Sequence, residues 1–256
     1  MYISDFKSSP FALYKTDTDQ SIDTLLGAKF TTEDGHELAL VQNGVAALVS
    51  GVLVQSPATI GANHTGLTCA TAAIGATTLT VTLGGTAVTA NQYAGGYVVI
   101  SAGTGIGQTF KIVSHPAQST TSGTVVLTLD HPVAVATNVS DSKASLTLPQ
   151  YGGKNGAAIT THGVVVCPTT LTGRVIGATL YPIPASTSTV ASYGFIVTKG
   201  AVALLNQGNT AIGLDLMPSA SVAGAVCTYV VATKTRVGTA TVAGEDGKSQ
   251  LATIQL

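Results

Sequence analysis

The chain has 256 residues, of which 9% are charged and 45% hydrophobic, with no Trp and a formal net charge of −1. That length can bury a sizeable core, and the near-zero charge leaves no long-range field to gather nucleic acid or an anionic membrane. Disorder is excluded, because it needs low hydrophobicity together with high net charge.

Three cysteines, Cys69, Cys167 and Cys227, stand far apart with no CxxC, so zinc-ribbon and redox-motif readings have no support. Each is expected to be a buried, reduced thiol packing as a small hydrophobe, which points to a reducing place of synthesis. The first residues, MYISDFKSSPFALYK, lack the basic start and apolar core of a secretory signal. No run of ~20 apolar residues would span a membrane. The chain is therefore expected to be made in a cytoplasm and to stay soluble there until it assembles.

Residues 1–28 differ from the rest. They carry Asp5, Lys7, Lys15, Asp17, Asp19 and Asp23 with Tyr2, Phe6, Phe11 and Tyr14 interspersed. An extended arm docking on a partner through aromatic anchors has this composition; an edge segment folded onto its own domain is the other reading. Residues 29–73 read as a β-hairpin region and linker. Phe30 to Leu38 gives strand, Asp34-Gly35 turn, strand. A second strand pair is expected at 46–49 and 52–54, and residues 56–77 are rich in Ala, Thr and Gly with little periodicity.

Residues 74–150 read as a β-domain. Thr78 to Leu83 alternates with period two, so Leu79, Val81 and Leu83 share one face. Strands follow at 97–100, 109–113, 125–129 and 144–148, the cadence of a sandwich or barrel. Residues 151–256 read as a C-terminal β-domain. Its strands are expected at 159–167, 173–181, 193–198, 201–205, 211–217, 225–232, 236–242 and 251–256, with Lys199-Gly200 a two-residue turn and 182–192 a loop. Apolar spacing of three and four never persists, so helix is scarce. The fold class expected is all-β, made of β-sandwich or jelly-roll-like/barrel units with very little helix and an extended N-terminal arm.

Motifs for chemistry are wanting. Gly103-Thr104-Gly105-Ile106-Gly107 has its third glycine one residue early for a dinucleotide loop, and a strand follows where a helix is needed; it reads as a turn. Gly244-Glu245-Asp246-Gly247-Lys248-Ser249 places two acids inside what would be a phosphate cradle and reads as a hairpin turn. His36, His64, His115, His131 and His162 show no metal-ligand spacing. Between Gly35 and Gly244 the only acids are Glu37, Asp130, Asp141 and Asp215, which nominates no carboxylate pair for glycosidic hydrolysis. No catalytic residue, metal or cofactor is expected, and the chain reads as a non-enzyme.

Three sets of stretches carry a resemblance. They are Leu26 to Thr31 with Glu33-Asp34-Gly35 and Val41 to Gly51; Tyr93 to Ile100 with Gly105 to Pro116; and Tyr193 to Val197 leading to Gly208 to Gly213, Gly224-Ala225-Val226 and Arg236 to Ala240. In this order they resemble virion structural proteins of tailed bacteriophages, in particular capsid decoration (cement) proteins. They cover under half the chain, and Tyr193-Gly194-Phe195 stands where that pattern has a Trp-containing strand. The resemblance implies a subunit on the capsid exterior that binds and stabilises the shell of major capsid protein, often as a homotrimer. It implies neither a nucleic-acid nor a membrane partner. Under it, Tyr2, Phe6, Phe11 and Tyr14 become the candidate capsid contacts. The alternative is a receptor- or glycan-binding phage fibre protein.

Overall fold

The structure, a computed structural model, describes residues 14–17, 22–153, 162–230 and 235–256. Among them the regular structure is seventeen strands and two single 3-10 turns, Asp23–Leu25 and Gly61–Asn63. The early strands are β1 (Tyr14–Asp17), β2 (Lys29–Thr31), β3 (Glu37–Gln42), β4 (Leu53–Gln55) and β5 (Leu67–Thr68). The middle ones are β6 (Thr78–Thr82), β7 (Tyr97–Ala102), β8 (Thr109–Ser114), β9 (Thr124–Leu129) and β10 (Lys143–Thr147). Then come β11 (Val165–Val166), β12 (Val175–Thr179), β13 (Ala191–Leu205), β14 (Asp215–Pro218), β15 (Val226–Thr228), β16 (Gly238–Ala240) and β17 (Ser249–Gln255). The fold is all-β, as the period-two pattern predicts.

Two compact units share these strands. The first takes the described residues up to Ala58 with Gln150–Gly152 and the described part of Gly163–Leu256; the second takes Thr59–Pro149 with Gly153 and His162.

The second unit is a small barrel. Its six strands run in the order β5-β10-β7-β8-β9-β6. The two ends are brought together by a bridge between Cys69 and Val81 and by the Ala70 N–H donating to the Thr80 carbonyl at 2.9 Å. Alternation supplies the core: Leu79 and Val81, Val98 and Ile100, Phe110 and Ile112, Val125 and Leu127, and Ala144 and Leu146 all turn inward. Each fully buried aliphatic side chain of this kind contributes about 1.5–3 kcal/mol. Register shifts at Lys143/Ala144 and at Ile112/Ser114 supply the local twist that curls a sheet toward closure. The stretch expected as a linker contributes β5 to this barrel.

The first unit is built on β13. This 15-residue strand pairs antiparallel with β1, β3, β12 and β17. Residues Ala191 to Thr198 are buried without alternation, whereas Ala201 to Leu205 alternate. Its first half is therefore covered on both faces. The Tyr193 hydroxyl donates to Asp23 Oδ1 at 2.6 Å inside the core, tying the 3-10 turn to the strand. Phe30 meets Phe195 edge to face, with ring centroids 5.2 Å apart. Beyond β13, the sheet continues through β17, β16 and β14 to β15, and Val226 of β15 bridges back to Asn206.

Three expectations need correction. Lys199-Gly200 is not a turn: pairing continues through it, Lys199 opposite Gln255, Gly200 opposite Ile254 and Ala201 opposite Thr253. Gly200 instead takes φ +122°, and a Cβ there would lie 2.6 Å from His36 Cδ2. Residues 46–49 are not a strand; only Leu48 makes a bridge, to Ile183. The described part of the expected arm, meanwhile, is folded onto the first unit, with β1 paired to β13 and Ile22, Asp23 and Leu26 buried.

Gly200→Val should therefore destabilise the chain by roughly 1–3 kcal/mol, from backbone strain and the clash with His36. Chemical denaturation checks this, and a change within about 0.5 kcal/mol would remove the glycine requirement.

Candidate functional site

Of the four candidate contacts, Tyr2, Phe6 and Phe11 lie outside the described residues. Tyr14 opens β1, its backbone opposite Gly194.

The structure points to another kind of site, at one end of the barrel. Three loops meet there: 69–77 between β5 and β6, 103–108 between β7 and β8, and 130–142 between β9 and β10. Side chains lock them together. The Gln108 amide donates to the Gly105 and Val135 carbonyls at 3.1 and 2.8 Å, and its oxygen accepts the Ala134 and Val135 N–H groups at 3.0 and 2.9 Å. The Thr137 hydroxyl donates to the Ala70 carbonyl at 2.7 Å and accepts the Ala72 N–H at 2.9 Å. Asp141 Oδ2 accepts both the N–H and the hydroxyl of Thr104, at 3.0 and 2.8 Å. The Val139 N–H donates to Thr71 Oγ1 at 3.1 Å, and the Gly75 N–H to the Val133 carbonyl at 2.8 Å.

From this locked frame four aliphatic side chains stand in solvent: Ile74 at 72%, Ile106 at 66%, Val139 at 53% and Val135 at 51% exposure. Their backbones are fixed, so ordering them on a partner costs little further entropy. The glycine-spaced turn 103–107 now has its reason. A Cβ at Gly103 would fall 2.2 Å from the Asp141 carbonyl oxygen, so only glycine admits the neighbouring loop this closely.

A second exposed apolar group lies on the first unit. Val45 and Val49, with Leu180 and Tyr181, are exposed on two segments held together by the Leu48–Ile183 bridge. Asn43 adds to that hold by donating through Nδ2 to the Ala46 and Pro184 carbonyls at 2.9 and 2.7 Å. Three shallow grooves on the same unit, the largest about 340 Å³, are lined by residues such as Arg174, Arg236, Thr239 and Gln255 and by no Cys, His, Asp or Glu. Arg236 is already paired with Asp215 at 2.7 Å. Among the described residues no group of three or more His, Cys, Asp or Glu could hold a metal ion, and no helix is long and apolar enough to cross a membrane.

Two histidines have surroundings that favour opposite charge states. His115 is buried; its Nε2 accepts the Tyr93 N–H at 2.9 Å, so Nδ1 carries the proton and donates to the Pro116 carbonyl at 2.8 Å. Burial pushes its pKa below the ordinary 6.5, and His162 adds to the shift. His36 instead faces two acceptors, Asp34 Oδ2 at 2.8 Å and the Ala201 carbonyl at 2.6 Å. Only the doubly protonated ring satisfies both, and its pKa is raised, chiefly by the Asp34 hydrogen bond. Asp34, hydrogen-bonded by Thr32 and His36, is lowered to about 2.

A scan of protein-family models, a search of curated proteins and a search of solved structures each found no match to this chain.

The two histidines predict opposite pH responses in their units. The depressed His115 stabilises the barrel fully above pH 6.5, and that contribution is lost as the pH falls toward its folded pKa. The raised His36 stabilises the first unit fully below pH 6.5, and that contribution is lost as the pH rises through its folded pKa. Amide exchange followed by mass spectrometry should show barrel protection weakening on acidification, an effect abolished by His115→Gln. Parallel changes in both units would contradict this assignment.

Proposed function

We propose that this chain is a non-enzymatic structural subunit of a phage virion, a decoration subunit that binds the shell of major capsid protein and stabilises it. The observation that carries the reading is the locked barrel end with four exposed aliphatic side chains on a charge-poor chain. Such a loop end is suited to being covered, because exposed aliphatic side chains on a fixed frame can be buried by a partner at little entropic cost. The apolar group around Val49 and Tyr181 is a second surface of the same kind. The ordered resemblance in sequence to capsid decoration proteins supplies the class of partner. Sheets whose backbone groups are hydrogen-bonded across strands also suit a part that must hold its shape under load.

Co-sedimentation with shells assembled from the major capsid protein tests the reading. The full chain should pellet with shells, and a chain lacking residues 1–13, which keeps β1 and its pairing to β13, should stay in the supernatant. Failure of the full chain to pellet overturns the decoration role. Pelleting of the truncated chain would remove Tyr2, Phe6 and Phe11 from the contact and leave the apolar loop surfaces to make it. Binding to a glycan array without shell binding would favour a fibre protein.

A further inference from the structure

We propose that the groove past Lys29, Arg174 and Arg236 on the first unit binds an acidic carbohydrate, a uronate whose carboxylate pairs with the arginines. This goes beyond the assembly reading and uses neither apolar surface. The chain has only two arginines, and both line the same groove of about 340 Å³. A groove of about 240 Å³ shares Arg174, Val175 and Leu256 with it and adds Lys29. Another, of about 330 Å³, shares Arg236 and Gln255. No acidic side chain lines any of the three. Lys29 and Lys199 share Glu37, at 4.0 and 3.4 Å, and Arg236 pairs with Asp215 at 2.7 Å. Among the described residues Arg174 enters no ion pair. Four cations therefore stand against two side-chain carboxylates, and counting a carboxylate at Leu256 still leaves a positive charge over. The backbone of Arg174 is fixed, its N–H donating to Ser56 Oγ at 3.0 Å and its carbonyl accepting the Ser56 N–H at 2.8 Å.

The lining selects the ligand. A guanidinium presents a planar fork that meets a carboxylate with two parallel hydrogen bonds. Phosphate is commonly held by helix N-termini or nests of main-chain N–H groups, and neither 3-10 turn of the described residues lines this groove. Around the cations stand Gln150, Thr235, Thr239, Thr253 and Gln255. Their amide and hydroxyl groups both donate and accept, as the hydroxyls of a sugar require. An extended peptide would need a sheet edge, whereas β12, β16 and β17 beneath the groove are each paired on both sides. A nucleic-acid strand would need aromatic platforms. The one aromatic lining the groove is Tyr151, and it lies flat against Gly27, where a Cβ would fall 2.7 Å from its Cδ2. What fits is a small, polyhydroxylated, carboxylate-bearing ligand.

Amide chemical-shift titration of the full chain by NMR, with trigalacturonate up to about 10 mM to reach millimolar affinity, tests the proposal. Trigalacturonate should shift amides along the groove and saturate, and ~1 M salt should weaken it by screening exposed charges. Arg174→Gln should weaken binding by at least about tenfold, the loss of charge-assisted hydrogen bonds. Arg174→Lys, which keeps the charge without the fork, should fall between. Arg174 is exposed, so both variants should keep the wild-type melting temperature. No saturable shift with trigalacturonate overturns the proposal, as does binding indifferent to Arg174→Gln. Equal shifts with galactotriose, inorganic phosphate or triglutamate also overturn it, by placing a neutral sugar, a phosphate or an acidic peptide in the groove. Arg174→Gln should still pellet with shells; loss of pelleting would assign the groove to the shell protein and overturn the proposal. The two readings fail separately, because a chain that binds trigalacturonate and ignores shells keeps this site and loses the decoration role.

Discussion

The first unit depends on one strand being shared. β13 pairs antiparallel with β1 and β3 along its first half, with β12 at Ile196 and Val197, and with β17 from Lys199 to Leu205. Buried backbone groups must find partners, and here one strand supplies them for four neighbours. Side chains support that pairing. The Tyr193–Asp23 hydrogen bond brings in the segment after β1, and the Phe30–Phe195 contact brings in the first hairpin. Gly194 has no side chain because Ile183 occupies the space, with its Cδ1 2.6 Å from where a Cβ would be.

The barrel solves a different problem. Its strands are short, so no single pairing dominates, and the bridge between its two ends leaves little exposed edge to invite aggregation. The loops at one end are held by side chains rather than by ladders. Gln108 alone satisfies four backbone groups on two loops. That arrangement converts loops of glycine, alanine and threonine into a firm surface, with the aliphatic residues at its outer points left exposed.

The strands whose two faces differ were legible in the sequence. Thr78 to Leu83 alternates because only one side of β6 faces the barrel core, and the strands from β7 to β10 follow the same rule. β13 was harder to read because Ala191 to Thr198 is buried on both faces, which erases the alternation, and because Gly200 looks like a turn residue while serving as a strand residue pressed against His36. Residues 46–49 looked like a strand from composition alone; what decides their conformation is the Asn43 side chain, bonded to the carbonyls of Ala46 and Pro184. The barrel-end surface depends on bonds such as Gln108 to Val135 and Thr137 to Ala72, which join residues far apart in the chain. Its traces in the sequence were the odd glycine spacing at 103–107 and the absence of Lys and Arg from three loops. The low overall charge pointed to assembly without saying where.

Electron microscopy of intact virions carrying a tagged copy of this chain is the most direct test of an assembly role on the capsid. The expected result is density for a two-unit all-β subunit at regular positions on the outer face of the head. Label confined to the tail tube or a fibre, or absent from mature particles, would contradict it.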